Sequence, residues 1–149
     1  VLLAVRDRIV AAGTAATTVD IDRTESDPYT EADLPAINLL AVEEAIQPLT
    51  PVNLASGGAV LQNRLQLVVQ VVAGGGAAGV VGAQARLLSA QVAAALGADP
   101  TLAGLCVQGL LPAGKQWLHD EDGSSRLIRQ NNLWVCTYRT TSVNPFSTI

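Results

Sequence analysis

Between Val60 and Leu96 the hydrophobic pattern of this chain changes period once, at a run of glycines, and few folds accommodate that change. Before the run, Leu65, Leu67, Val69 and Val71 share one face of an extended segment, while Gln62, Arg64, Gln66 and Gln70 share the other. A spacing of two is that of a half-buried strand. Gly74-Gly75-Gly76-Ala77-Ala78-Gly79 then turns the chain. From Val80 onward, Val81, Ala85, Leu88, Val92 and Leu96 recur at three and four. That spacing predicts a long helix, stopped by Gly97 and Pro100. The remaining elements must cover or extend this strand–corner–helix unit.

The flanks read as follows. Val1 to Ala12 predicts a helix with Leu2, Val5, Ile9 and Ala12 on its stripe, and Gly13 ends it. Thr17 to Arg23 alternates as a short strand, with Val19 and Ile21 inward and Asp20 and Asp22 outward. Thr24 to Asp33 is polar, contains Asp27-Pro28, and reads as a loop. Leu34 to Glu43 predicts a second strand, its proline tolerated because the ladder has barely begun. Glu44 to Ala59 carries Pro48, Pro51, Gly57 and Gly58 and is long for a connection, so a functional loop or an extended hairpin arm is expected. Cys106 to His119 reads as a strand interrupted by Pro112 and Gly114, Asp120 to Ser125 as a turn, and Arg126 to Thr140 as the last strand. The order α-β-β-β-α-β-β predicts an α+β domain over residues 1–141. Its mixed or antiparallel sheet has about five strands with both helices on one face, and residues 142–149 form a polar tail.

Charge is scarce in this chain. Apolar residues make up 49% and charged residues 15% of it, where an average domain has roughly 25% charged. Lys115 is the only lysine. Two accounts fit: a very stable monomer, or a subunit whose outside is covered by neighbours. The missing charge falls on elements that ought to be surface, which favours the subunit. The helix side away from the stripe makes the point, with Gly82, Ala83, Arg86, Ala90, Ala93 and Ala94 where Lys and Glu would be usual. Helix propensity alone also selects alanine. The net charge of −4, with nine carboxylates between Asp7 and Glu44 and a knot at Asp120-Glu121-Asp122, argues against a phosphate-binding surface. Cys106 and Cys136 sit in apolar patterns and read as free buried thiols of a chain made in the cytosol. No secretory signal is visible, and no apolar run reaches the roughly 18 residues of a membrane span. The chain opens on Val1, not Met, so residues upstream of this numbering are expected.

No catalytic constellation emerges. Gly74, Gly76 and Gly79 match the dinucleotide-binding spacing G-x-G-x-x-G, and Asp99 lies at the distance of its acidic partner. Asp99, however, follows the helix directly in a Gly-Ala-Asp-Pro turn, and the preceding strand alternates, unlike a strand buried on both faces. His119 beside three acids reads as a solvated turn before a metal site, because adjacent side chains splay apart. No serine occupies a nucleophile elbow. Paired carboxylates, Asp20 with Asp22 and Glu43 with Glu44, lack any sign of a cleft. Trp117 and Trp134 read as core or interface anchors. The chain is therefore expected to be no enzyme and to use no cofactor or metal.

Several segments in their order carry a resemblance. They are the N-terminal helix, the strand Thr17–Arg23, and a strand opened by Leu34-Pro35-Ala36-Ile37 and closed by Glu43-Glu44. The strand Arg64–Val72 follows, then a helix ending Ala93-Ala94-Ala95-Leu96, then Asp99-Pro100-Thr101-Leu102-Ala103-Gly104-Leu105, and finally Trp134-Val135-Cys136-Thr137-Tyr138-Arg139-Thr140. Over nearly its whole length the chain resembles the tail terminator proteins of long-tailed bacteriophages, the lambda tail terminator among them. The resemblance implies a ring, usually a hexamer, that caps the tail tube, stops its polymerisation and meets the head-completion or neck proteins. It implies a virion location at the tail–neck junction, action by binding alone, and genomic DNA passing through the ring without specific binding. On that reading the contacts between subunits are expected at Ala83, Arg86, Ala90, Ala93 and Ala94 and at the sheet edge. Axial contacts are expected at Asp27, Tyr29, Glu31, Gln47, Leu49, Val52 and Leu54. An acidic lumen is expected from Asp20, Asp22, Asp120, Glu121 or Asp122. Two rivals are another head–tail connector and, more remotely, a small nucleotide-binding enzyme using the glycine corner.

Overall fold

The alternation that marks Leu65 to Val71 as a strand also decides where the core lies, since those four side chains are fully or almost fully buried. A computed structural model describes residues 1–24, 26–49, 58–122 and 125–141. Its elements are α1 (Leu2–Ala11), β1 (Thr18–Ile21), a 3-10 turn (Glu31–Asp33), β2 (Ala36–Pro48), β3 (Val60–Ala73), α2 (Ala78–Gly97), β4 (Leu110–Asp122) and β5 (Ser125–Thr141). The strands form one sheet in the order β1-β2-β3-β5-β4. The short β1 runs parallel to β2, and every other neighbouring pair is antiparallel. The expected α+β mixed sheet with two helices is the fold observed.

Directly paired residues share a face, so the register divides the sheet into two sides. Ile37 and Leu39 of β2, Leu65 to Val71 of β3, and Trp134 and Cys136 of β5 point to the side where Val5 and Ile9 of α1 meet Val81, Ala85, Leu88 and Val92 of α2. Both helices therefore lie on one face. Arg8 at the end of α1 donates from Nε to the Ala95 carbonyl at 3.2 Å and ties the helices together. Gly82, expected on the outer side of α2, is buried instead. A Cβ there would lie 3.8 Å from the Ile128 side chain, which explains why the helix sits so close to β5.

Two strands depart from their pattern. β2 continues past Glu43 to Pro48, and β4 is displaced along the chain, starting at Leu110 instead of Cys106 and running past His119 to Asp122. Among the described residues, one edge of each of these stretches has no strand partner, and the side chains from Ala41 to Leu49 and Leu111 to Leu118 are exposed, so burial leaves no alternation to read. The excursion after β2 thus shrinks, and the Leu49 amide still reaches the Val60 carbonyl at 2.8 Å, so the antiparallel β2–β3 pairing runs to the edge of residues 50–57, which lie outside the described residues. Bulges interrupt the register at Ala41/Glu43 and at Pro112/Gly114.

Two further expectations are corrected. Cys106 and Cys136 are joined in a disulfide with Cα atoms 5.8 Å apart. They are 30 residues apart in sequence, and only the return of the chain along β5 brings them together. The lead-in to β4 is held there by the Val107 amide on the Thr137 carbonyl at 2.8 Å. The span Gly79–Gly97 is long and apolar enough to cross a membrane, by length and composition. It reaches that because alanine and glycine fill its outer face with Arg86 as the one charge, while its stripe is buried on the sheet.

Candidate functional site

The two sides of the sheet end differently, and the difference begins at Arg23. The loop after β1 folds back over the face that bears no helices. Arg23 is its hub, with a side chain 15% exposed. Its guanidinium pairs with Asp20 at 3.1 Å and Asp33 at 3.2 Å, donates to the carbonyls of Asp27 and Pro28, and lies 4.2 Å over the Tyr29 ring. Asn38 of β2 clamps the Arg23 backbone from below, accepting from its amide at 3.1 Å and donating to its carbonyl at 2.8 Å. Asp33 also closes a capping box with Thr30, taking both the amide and the hydroxyl at 2.9 Å. Those two Thr30 bonds, and then Arg23, hold the Asp33 carboxyl below its usual range. Burial first, and then the charge of Asp20, raise Tyr29 well above the ordinary phenol value. Between loop and sheet lies a polar cavity of about 280 Å³ bounded by Tyr29, Asn38, Gln70 and Arg129.

On the far side of the sheet nothing comparable is built among the described residues. α2 packs over β3 and β5 and leaves the helix-side face of β4 open. An apolar groove of about 500 Å³ runs there between the last turns of α2 and β4, lined by Ser89, Ala93, Leu110, Pro112, Lys115 and Trp134. Trp134 is 6% exposed, and its indole N–H has no partner among the described residues. The floor is fixed by Asn132, which accepts from the Ser89 hydroxyl at 2.9 Å and donates to the Val69 carbonyl at 3.1 Å.

The free strand edges carry large apolar side chains. Val42 and Ile46 are exposed on the upper half of β2 and Leu49 just past its end, and Leu111, Trp117 and Leu118 on β4. β1 covers β2 only from Ala36 to Leu39, so Leu40 to Pro48 has β3 as its one strand neighbour. The outer surfaces of the helices add Leu3, Val10, Val80 and Leu87. Of these, Val80 and Leu87 share a helix side with Ala83, Arg86, Ala90 and Ala94, all exposed as expected. Ala93 is half-buried and belongs to the groove. Leu87 went unremarked in the sequence because it falls off the stripe, and that position was itself the signal.

The residues expected at axial and lumen positions are scattered. Gln47 and Leu49 are exposed at the β2–β3 tip, and Val52 and Leu54 lie outside the described residues. Asp27, Tyr29 and Asp20 come together around Arg23 rather than projecting along an axis. Glu31 and Asp22 are exposed, Asp22 with a left-handed φ of 54°. Asp120, Glu121 and Asp122 lie at the β4–β5 tip, at the opposite end of the sheet from Gln47, and their side chains fall outside the described residues. The tail 142–149 falls outside them as well.

The glycine corner is a β-to-α turn with Gly75 at φ 80° and Ala77 as the helix N-cap. Its strand, β3, is antiparallel to both neighbours, whereas the dinucleotide motif follows a parallel strand. Asp99 is committed to its own turn, accepting from the Thr101 hydroxyl at 2.7 Å and the Ala103 amide at 2.8 Å, which lowers its pKa. Comparison with models of protein families and with curated proteins finds no match for this chain.

Proposed function

We propose that this chain is a structural subunit of a long-tailed phage virion, a tail terminator whose ring caps the tail tube, halts its growth and joins it to the neck. The observation that carries this reading is the apolar exterior. Among the described residues, large apolar side chains stand exposed on both helices and on both open strand edges. A chain with 15% charged residues and that surface is better suited to being covered by copies of itself than to standing alone in water. The resemblance of the ordered segments to tail terminators supplies the identity of the assembly.

The mechanism on this reading is competition by shape. One ring face repeats the contacts a tube subunit offers and docks on the growing end. The other face lacks them, and no further tube ring adds. The β2–β3 arm at Gln47 and Leu49 is an exposed projection suited to axial contact. The disulfide fits a particle that leaves the reducing cell, because such bonds persist on virion surfaces and are rare in the cytosol. The test is native mass followed by binding to purified tail tubes and to portal–head complexes. A six-fold assembly that binds tubes and blocks further polymerisation is expected. Binding to portal–head complexes alone would move the chain to another connector role.

A further inference from the structure

The four long strands β2, β3, β5 and β4 alternate in direction, and their number is even. A second copy placed beside the first in the same orientation therefore brings its β2 antiparallel to the first copy's β4. An odd number would have brought two parallel strands together. Among the described residues both of these strands have an open edge: Leu40 to Pro48 on β2, and all of β4. We infer that copies of this chain join edge to edge, β4 of one against the upper half of β2 of the next, so that the ring of the proposed function is one continuous sheet.

Face matching limits the register to steps of two, and the charges choose among them. Directly opposite residues must share a side, since a slip of one residue would exchange the two faces. Lys115 pairs with Asn132 and Glu44 with Leu65, both on the helix side of the sheet. Setting Lys115 against Glu44 of the next copy places Gln116 against Glu43, Gly114 against Ala45, Pro112 against Ile46, Leu111 against Gln47 and Leu110 against Pro48. Ala113 falls in the β4 bulge and leaves every pair on matching faces. The register puts the chain's one lysine on the carboxylate that accepts the Tyr138 hydroxyl. It covers the exposed Ile46 and Leu111. It also brings the neighbour's β2 to the rim of the apolar groove, beside Lys115 and Leu110.

The geometry agrees with closure. Through Asn132 and Val69, Lys115 stands level with Leu39 of its own copy. Glu44 lies four pleats further up once the bulge at Val42 is discounted. Each copy is thus offset by about 13 Å along the strands and about 19 Å across its four strands, a slope of about 35°. Strands in closed barrels tilt by roughly 35–45°.

A lone lysine on an edge strand also serves as a guard against pairing, and the test separates the two roles. Lys115→Glu and Glu44→Lys each weaken assembly by roughly tenfold in native mass titrations, and the double variant restores it. Gly114→Cys with Ala45→Cys yields a ladder of covalent multimers on oxidation, while Gly114→Cys with Gln47→Cys does not. Lys115→Ala that associates more strongly, a charge swap without rescue, no ladder from the matched pair, or a wild-type chain that stays monomeric overturns the inference. The inference rests on the ring reading, but the two fail separately. Assemblies indifferent to these variants remove the edge pairing and leave the ring. Assemblies that respond to them yet ignore tail tubes keep the pairing and remove the terminator.

Discussion

At the β1 side of the sheet the polar chain is tied back onto its own structure, and at the β4 side it is left unfinished. Arg23 gathers three carboxylates, two carbonyls and an aromatic ring from residues 20–33. Its counterpart, Lys115, stands on an edge strand between an apolar groove and open backbone. The chain thus has the means to close an edge and uses it only at the base of β2. The contrast assigns stability to that closed base and association to the strand edges left open.

The sharpest way to break that contrast is the disulfide, because it reinforces the β4 side from within. Cys106→Ser with Cys136→Ser is expected to cost about 4 kcal/mol, the loop-closure value for a 30-residue separation, read by chemical denaturation. A negligible loss would mean that the lead-in to β4 is held by its backbone contacts alone. Next, Leu39→Ala on the closed side removes a fully buried side chain and should cost about 3 kcal/mol, whereas Leu111→Ser on the open edge should leave the denaturation midpoint of the isolated chain nearly unmoved and lower the assembled fraction. If the two variants act alike, the division of labour is wrong.

Acid probes the closed side by itself. Asp33 has its pKa depressed by Thr30 and Arg23. A depressed carboxyl contributes stability that is complete above its unfolded value, about 4, and is lost as pH falls through the folded value. Proteolysis within residues 22–33 should therefore rise below pH 4 before global unfolding begins. Tyr138 gives the smallest effect. Burial, and then its bond to Glu44, push its pKa up to about 12. A phenol raised in the folded state contributes stability present below about 10 and lost between 10 and 12. Alkaline difference absorbance should show both tyrosines, Tyr29 and Tyr138, titrating late, and Glu44→Gln should bring one of them earlier.

How much of this was legible in the sequence follows from what burial writes into a chain. β3 and α2 are buried along one side for their full length, so their periods stood out and the α+β order came with them. The upper half of β2 and most of β4 are exposed, so nothing in their residues marked where they stopped. The alanines of α2 were legible as an unusual surface, yet Gly82 was misplaced because a glycine carries no polarity with which to vote. The hub at Arg23 depends on Asp20, Asp27, Tyr29 and Asp33 meeting in space. Their acidity was visible, and their shared cation was not. The disulfide was hidden for the same reason, since two cysteines in apolar strands look alike bonded or free. Open edges are a matter of strand order, and strand order is a long-range property.

The four residues of β1 have a consequence out of proportion to their number. A short ladder between identical copies is prone to slide by two residues, a step that preserves every facing. β1 ends at Ile21, level with Leu39, and the Asp22 amide closes the row on the Leu39 carbonyl. In the inferred register His119 of the neighbouring β4 already stands level with Leu39, so the far end of that strand abuts β1 and a slide toward the base of β2 is blocked at once. The stub acts as a doorstop, and if rings form as inferred, it gives every joint in the circle the same height.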